Sequence, residues 1–173
     1  MKGRSVLLKE HVKLLSMFQQ AGEIVGRKKL QKIVYISKKL DIPFSERFKF
    51  HMFGPYSEEL TLRIEELCNL GFLQEILETK SGYQQYRYIL TEEGEKFLDM
   101  YNLDLPNIQP CVSSMNGQSS RFLELVSTVL YFDEMEKEEI VEKVMTVKKK
   151  QNYTEEEMER AFTYIEQLKS VQH

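Results

Sequence analysis

Residues 57–101 constrain the fold most, because almost every position in that run has one local solution. Ser57 is a strong helix N-cap, and Glu58 and Glu59 place carboxylates in the first turn, where the helix dipole favours them. Leu60, Ile64, Leu67 and Cys68 share one face of that helix, and Gly71 stands where a left-handed cap would end it. Two β-prone runs follow, Phe72 to Glu78 and Tyr83 to Leu90, joined through a turn at Lys80-Ser81-Gly82. Thr91, Glu92 and Glu93 start a short helix ending near Tyr101, and Gly94 suits a helix that must pass close to a strand. The fold class that follows is α+β, mostly helical, with a small antiparallel β-hairpin or sheet.

The rest of the chain reads mainly as amphipathic helix. Leu8, Val12, Leu15 and Phe18 mark a helix over residues 7–20, and Gly22 and Gly26 break it. Residues 27–40 form a second helix with Leu30, Ile33, Val34 and Leu40 on one arc; Lys28, Lys32, Lys38 and Lys39 lie opposite, with Tyr35 among them. Pro43 stops it. Phe48, Phe50 and Met52 alternate with Lys49 and His51 as in a half-buried strand, and Gly54-Pro55-Tyr56 turns the chain. Residues 102–118, with Pro106, Pro110 and Gly117, show little periodicity and read as a linker or wrapping segment in which Cys111 is exposed. Three helices follow, over 119–133, 136–150 and from a Thr154/Glu157 capping box onward. The organisation expected is a domain over residues 1–101, the linker, and a helical extension over 119–173 packed on that domain. Its core should include Leu30, Ile33, Val34, Phe50, Leu60, Ile64, Leu67, Phe72, Tyr88 and Leu90.

Composition narrows the function. The 173 residues are 42% hydrophobic, enough for a folded core and too much for wholesale disorder. The longest apolar stretches are a few residues, against about 20 for a membrane span, and Val6-Leu7-Leu8 is too short for a signal peptide, so a cytoplasmic protein is expected. Charge is polarised: residues 1–53 carry 12 Lys/Arg against 4 Asp/Glu, and residues 54–105 carry 4 against 11. Such a division predicts a basic and an acidic pole, unless the fold pairs the two internally.

No catalytic, metal or cofactor site is expected. His11 and His51 lack any partner at metal-ligand spacing, and His173 is terminal. Cys68 sits on an apolar helix face behind Glu65 and Glu66, the wrong setting for a thiolate. Phosphate-loop, nucleophile-elbow and zinc-protease signatures are missing from the sequence. The strongest surface candidate is the basic helix, where Lys28, Lys29, Lys32, Tyr35 and Lys39, with the Gly54-Pro55-Tyr56 turn, could meet an acidic protein surface or nucleic acid.

Helix, Gly71-Phe72-Leu73, hairpin, Tyr88-Ile89-Leu90-Thr91 and Gly94 together resemble the wing region of winged-helix domains. In such a domain residues 57–70 would read DNA, yet Glu58, Glu59, Glu65 and Glu66 face a single Arg63 there. Lys29-Leu30-Gln31-Lys32-Ile33-Val34-Tyr35 and Phe50-His51-Met52-Phe53-Gly54-Pro55-Tyr56-Ser57 resemble the paired motifs of the Panacea, or SocA-like, antitoxin domain. The whole chain, from Val6 to Leu168, is more similar still to the YwgA family of bacterial and phage proteins. These resemblances imply a non-enzymatic module that binds another protein, such as a toxin, a defence protein or a protease substrate. The alternative is a winged-helix DNA-binding regulator, and self-association is compatible with the same surface.

Overall fold

A computed structural model describes residues 2–101 and 106–172, with side chains from Leu8 onward. The chain begins with α1 (Lys2–Ala21), β1 (Glu23–Val25) and α2 (Arg27–Lys39), then a small ribbon of β2 (Lys49–His51) and β3 (Gly54–Tyr56). Next come α3 (Glu58–Asn69), the hairpin β4 (Leu73–Lys80) and β5 (Tyr83–Leu90), and α4 (Glu92–Asp99). The remainder is α5 (Gln109–Asn116), α6 (Ser120–Tyr131), α7 (Lys137–Val147), a 3-10 turn at Lys149–Gln151, and α8 (Glu155–Gln172). The fold is α+β and mostly helical. Among the described residues no helix is long and apolar enough to cross a membrane.

The run 57–101 folds as its residues dictate. Ser57 Oγ accepts the Leu60 N–H at 3.1 Å, and Gly71, at φ +82°, lets the Phe72 N–H return to Leu67 O. β4 and β5 pair antiparallel from Leu73 opposite Leu90 to Lys80 opposite Tyr83, and Gly82 supplies a positive φ in the two-residue turn. Thr91 Oγ1 caps α4 through the Gly94 N–H at 3.0 Å.

The sheet has a third strand that the periodicity does not predict. β1 pairs antiparallel with β5, giving the order β1-β5-β4. Three residues between Gly22 and Gly26 are too few to show an alternating pattern. The expected strand over 47–53 shrinks to β2, because Met52 and Phe53 form the turn into β3, so Gly54-Pro55-Tyr56 is strand rather than turn. Pro55 is tolerated because this ribbon has only two strands.

One buried core runs through the molecule. Every residue of α6 from Phe122 to Leu130 is buried, and α6 packs against α2, β3 and α8. The segment expected to be a linker contains α5, whose Cys111, Val112 and Met115 are buried among α1, α2 and α8; Cys111 is therefore not exposed. Pro110 hid this helix, although proline fits a first helical turn, where its missing N–H costs nothing. Residues 102–105 lie outside the described residues. Within the expected core, Phe50, Phe72 and Leu90 are half-buried instead of buried; Phe50 lies against Tyr131 and Phe132, and Phe72 stacks on Phe97 at 4.4 Å.

Candidate functional site

The Lys29-Leu30-Gln31-Lys32 segment of α2 and the Gly54-Pro55-Tyr56-Ser57 segment meet in space and lock together. Gln31 donates from Nε2 to Ser57 O and accepts the Ser57 N–H at Oε1, both at 2.9 Å, as a strand partner would. Lys32 Nζ donates to Pro55 O at 2.7 Å. Gly54 holds φ +90°, which strains any residue with a Cβ, although an added Cβ would make only ordinary contacts, 3.4 Å from Lys32 Nζ and Thr128 Oγ1. Gln31→Leu should leave the Ser57 N–H unpaired in the interior, while Ser57 O keeps the Thr61 N–H, costing about 1–3 kcal/mol in a denaturant melt.

Behind this lock sits a buried charge cluster. Glu124 of α6 is wholly buried; Lys28 Nζ lies 3.1 Å and Lys148 Nζ 3.6 Å from its Oε1, approaching as charges without hydrogen-bond geometry. Tyr153 donates its hydroxyl to Oε2 at 3.1 Å, and Lys148 Nζ donates to Met52 O at 2.7 Å. Lys32 is 1% exposed, and burial, only partly offset by Glu124, pulls its pKa from 10.5 down to about 7; Lys28 and Lys148 press it the same way.

That depression fixes the sign of a pH effect. The unfolded chain binds the Lys32 proton more tightly than the folded one, so stability should rise as pH climbs from about 7 towards 10.5. Burial lowers Lys29 and Lys148 too, and both add in the same direction. Tyr35, Tyr88, Tyr153 and Tyr164, raised by burial, oppose the trend only above about pH 10, where unfolded tyrosine ionises. Cys68 and Cys111, whose thiols burial raises to about 11, begin to oppose it as unfolded thiols ionise near pH 9. Urea melts at about pH 7 and 8 should therefore differ by about 1 kcal/mol, with the higher stability at the alkaline end. The difference should shrink in Lys32→Met.

In front of the lock opens a cleft of about 600 Å³. α2 contributes Arg27, Lys28, Leu30, Gln31 and Lys32; the β2–β3 ribbon contributes His51, Met52, Phe53, Gly54 and Tyr56. α3 supplies Leu60, Thr61, Ile64 and Glu65, and the hairpin closes the far wall with Glu75 and Tyr88. At that wall Arg27 Nε donates to the Tyr88 hydroxyl at 3.3 Å, and the hydroxyl donates to Glu75 Oε2 at 2.7 Å. The Arg27 guanidinium also lies 3.7 Å from the centre of the Tyr86 ring.

The residues expected to form a basic contact face separate here. Lys28, Lys32, Gly54 and Tyr56 line the cleft. Tyr35 is buried, edge-on to Phe48 at 5.1 Å, and Pro55 is buried too. Lys29 donates to Asn116 O at 3.1 Å, and Lys39 pairs with Asp133 at 3.0 Å. A helical wheel puts Lys32 and Tyr35 outward because it carries no information about β3 and α6, which cover that side of α2.

Nothing in the local sequence pattern singles out Gln31 or Lys148. Glu124 did carry a signal, as the single charge in the apolar run Phe122-Leu123-Glu124-Leu125-Val126. Of the histidines and cysteines, His11 contacts Glu66 at 3.2 Å and His51 packs on Tyr56. Burial pushes the thiols of Cys68 and Cys111 up to about 11, which keeps both protonated at neutral pH.

No protein-family model matches the chain. It is 61% identical over 165 residues to the uncharacterized protein YwgA of Bacillus subtilis (strain 168), an alignment spanning 95% of this chain and 99% of that relative. The match takes in α2, the β2–β3 ribbon and the helices that build the cleft, and the chain belongs to the YwgA family.

Proposed function

We propose that the protein works without catalysis, by stoichiometric binding of another protein in an antitoxin-like, adaptor or inhibitor role, with the mouth of the cleft as its contact surface. The observation that carries this reading is the β2–β3 turn. Met52 and Phe53 are 81% and 55% exposed there, and Lys28 Nζ lies 5.0 Å from the centre of the Phe53 ring. Large apolar side chains beside a cation at a concave mouth are the composition of an interface hot spot. The likeness of the α2 and Gly-Pro segments to the SocA-like antitoxin motifs adds to it.

The charges favour a protein partner over nucleic acid. Lys28 and Lys32 are turned into the cleft, Lys39 is paired with Asp133, and Lys38 donates to Glu46 O at 2.6 Å, so few cations of α2 lie on the outer surface for a nucleic-acid backbone. α3 keeps Glu58 and Glu59 in its first turn.

Once a partner has been purified from the native host, Phe53→Ala should raise its dissociation rate about tenfold or more, as expected for a hot-spot residue. Lys28→Met, which removes the charge without setting a second carboxylate against Glu124, should mainly slow association. Unchanged kinetics in both variants would move the interface elsewhere. Lys32→Glu and Tyr35→Ala are unsuitable probes, because both positions are buried and report on folding.

A further inference from the structure

The interior of the cleft has a chemistry that its rim does not need. Lys32 is almost completely buried yet lines the cavity, and its ammonium donates one hydrogen bond, to Pro55 O, of the three it can make. Lys28 lines the same end and is half-buried. Behind them Lys148 and Glu124 complete the cluster, so three lysines from two regions of the chain share one carboxylate. The groups facing Lys32 are Lys28 on α2, Glu124 on α6, Lys148 after α7 and the Pro55 carbonyl on β3. Such an excess of buried cation is unfavourable in an empty cavity and favours an anion that enters it.

The apolar part of the same lining includes Leu30 from α2, and Leu60 and Ile64 from α3. A volume of about 600 Å³ lies within the range of small-molecule sites, roughly 300–1,000 Å³. Lysines act here as point charges without the fork of an arginine, which suits a single carboxylate better than a bidentate clamp.

We propose that the cleft binds a small amphipathic acid, its one carboxylate held by Lys28 and Lys32 and its apolar body laid against Leu30, Leu60 and Ile64. This goes beyond the protein-binding reading, which rests on Met52 and Phe53 at the mouth, and it is tested on the isolated protein. Binding draws a proton onto Lys32, because a carboxylate beside the ammonium restores the charged form that burial disfavours.

Octanoate, 1-octanol and inorganic phosphate are the probes, titrated into the full chain by calorimetry and followed by the lysine side-chain NMR signals. Octanoate should bind one per chain, take up protons near neutral pH, and shift the Lys32 signals towards the ammonium form. Octanol, of the same body without the charge, and phosphate, the charge without the body, should each bind at least tenfold more weakly. Lys28→Met should weaken octanoate tenfold or more in a protein whose circular dichroism matches the parent. Equal affinity for octanol would reduce the site to an apolar hole, and tight phosphate binding would reduce it to an ion site. Octanoate that fails to bind, or that leaves the Lys32 signals of the unaltered protein in place, overturns the proposal.

Discussion

Glu124→Gln should be the most destabilising isosteric change in this protein, by about 3–5 kcal/mol at neutral pH, the usual cost of removing one partner of a buried ion pair. The amide fills the same space and can still accept from the Tyr153 hydroxyl, so packing is unchanged and the loss is electrostatic. Lys148 keeps its bond to Met52 O but loses the carboxylate 3.6 Å away, in a position where its side chain is almost fully buried. Lys28, which is half-exposed, can turn its ammonium to water. Lys32 cannot, and without Glu124 to support its charge its pKa should fall below 7. The deficit should therefore narrow as pH rises and Lys32 loses its proton. Adding Lys148→Met removes one unpaired charge and should restore about half of the loss, as judged by guanidinium melts of the single and double variants. A single-variant loss below about 1 kcal/mol would mean that Glu124 is not paired as the distances indicate.

Gly94→Ala should cost about 3 kcal/mol or more, although alanine is the better helix former by about 1 kcal/mol. A Cβ at residue 94 would lie 2.2 Å from Phe72 O and 2.6 Å from Leu90 Cδ1. The first is backbone and cannot rotate away. Phe72 O also accepts the Thr91 N–H at 3.1 Å, so moving α4 outward breaks the bond that joins it to the start of β4. The melting temperature should fall by roughly 2–4 °C for each kcal/mol lost. A melting temperature equal to that of the parent would show that α4 is free to slide. Gly117→Ala, whose nearest neighbour would be 3.5 Å away, is the control that should change little.

These two positions differ in how far the sequence announces them. Gly94 is legible: a glycine in the first turn of a helix that follows directly on a strand signals close contact between the two. Glu124 is a single charge in an apolar helix, which marks it as unusual without naming its partners. Lys148 lies 24 positions further on and bonds to Met52, 96 positions back, and no periodicity links them.

The same division runs through the molecule. Local chemistry by itself determined the Ser57 and Thr91 caps, the Gly71 stop, the β4–β5 hairpin, the capping box of α8, and an α+β fold rich in helix. All depend on hydrogen bonds between residues a few positions apart, and their side chains declare them. Only the tertiary structure decided that α2 would be covered on the side that carries Lys32 and Tyr35. It also turned residues 109–116 into a buried helix, added β1 to the sheet, and left a cleft between α2, α3 and the β2–β3 ribbon. A lysine is written the same way whether it faces water or a carboxylate brought from a distant helix. Its environment is set by long-range packing, and that packing makes a basic stripe on a helical wheel into the cationic floor of a cavity.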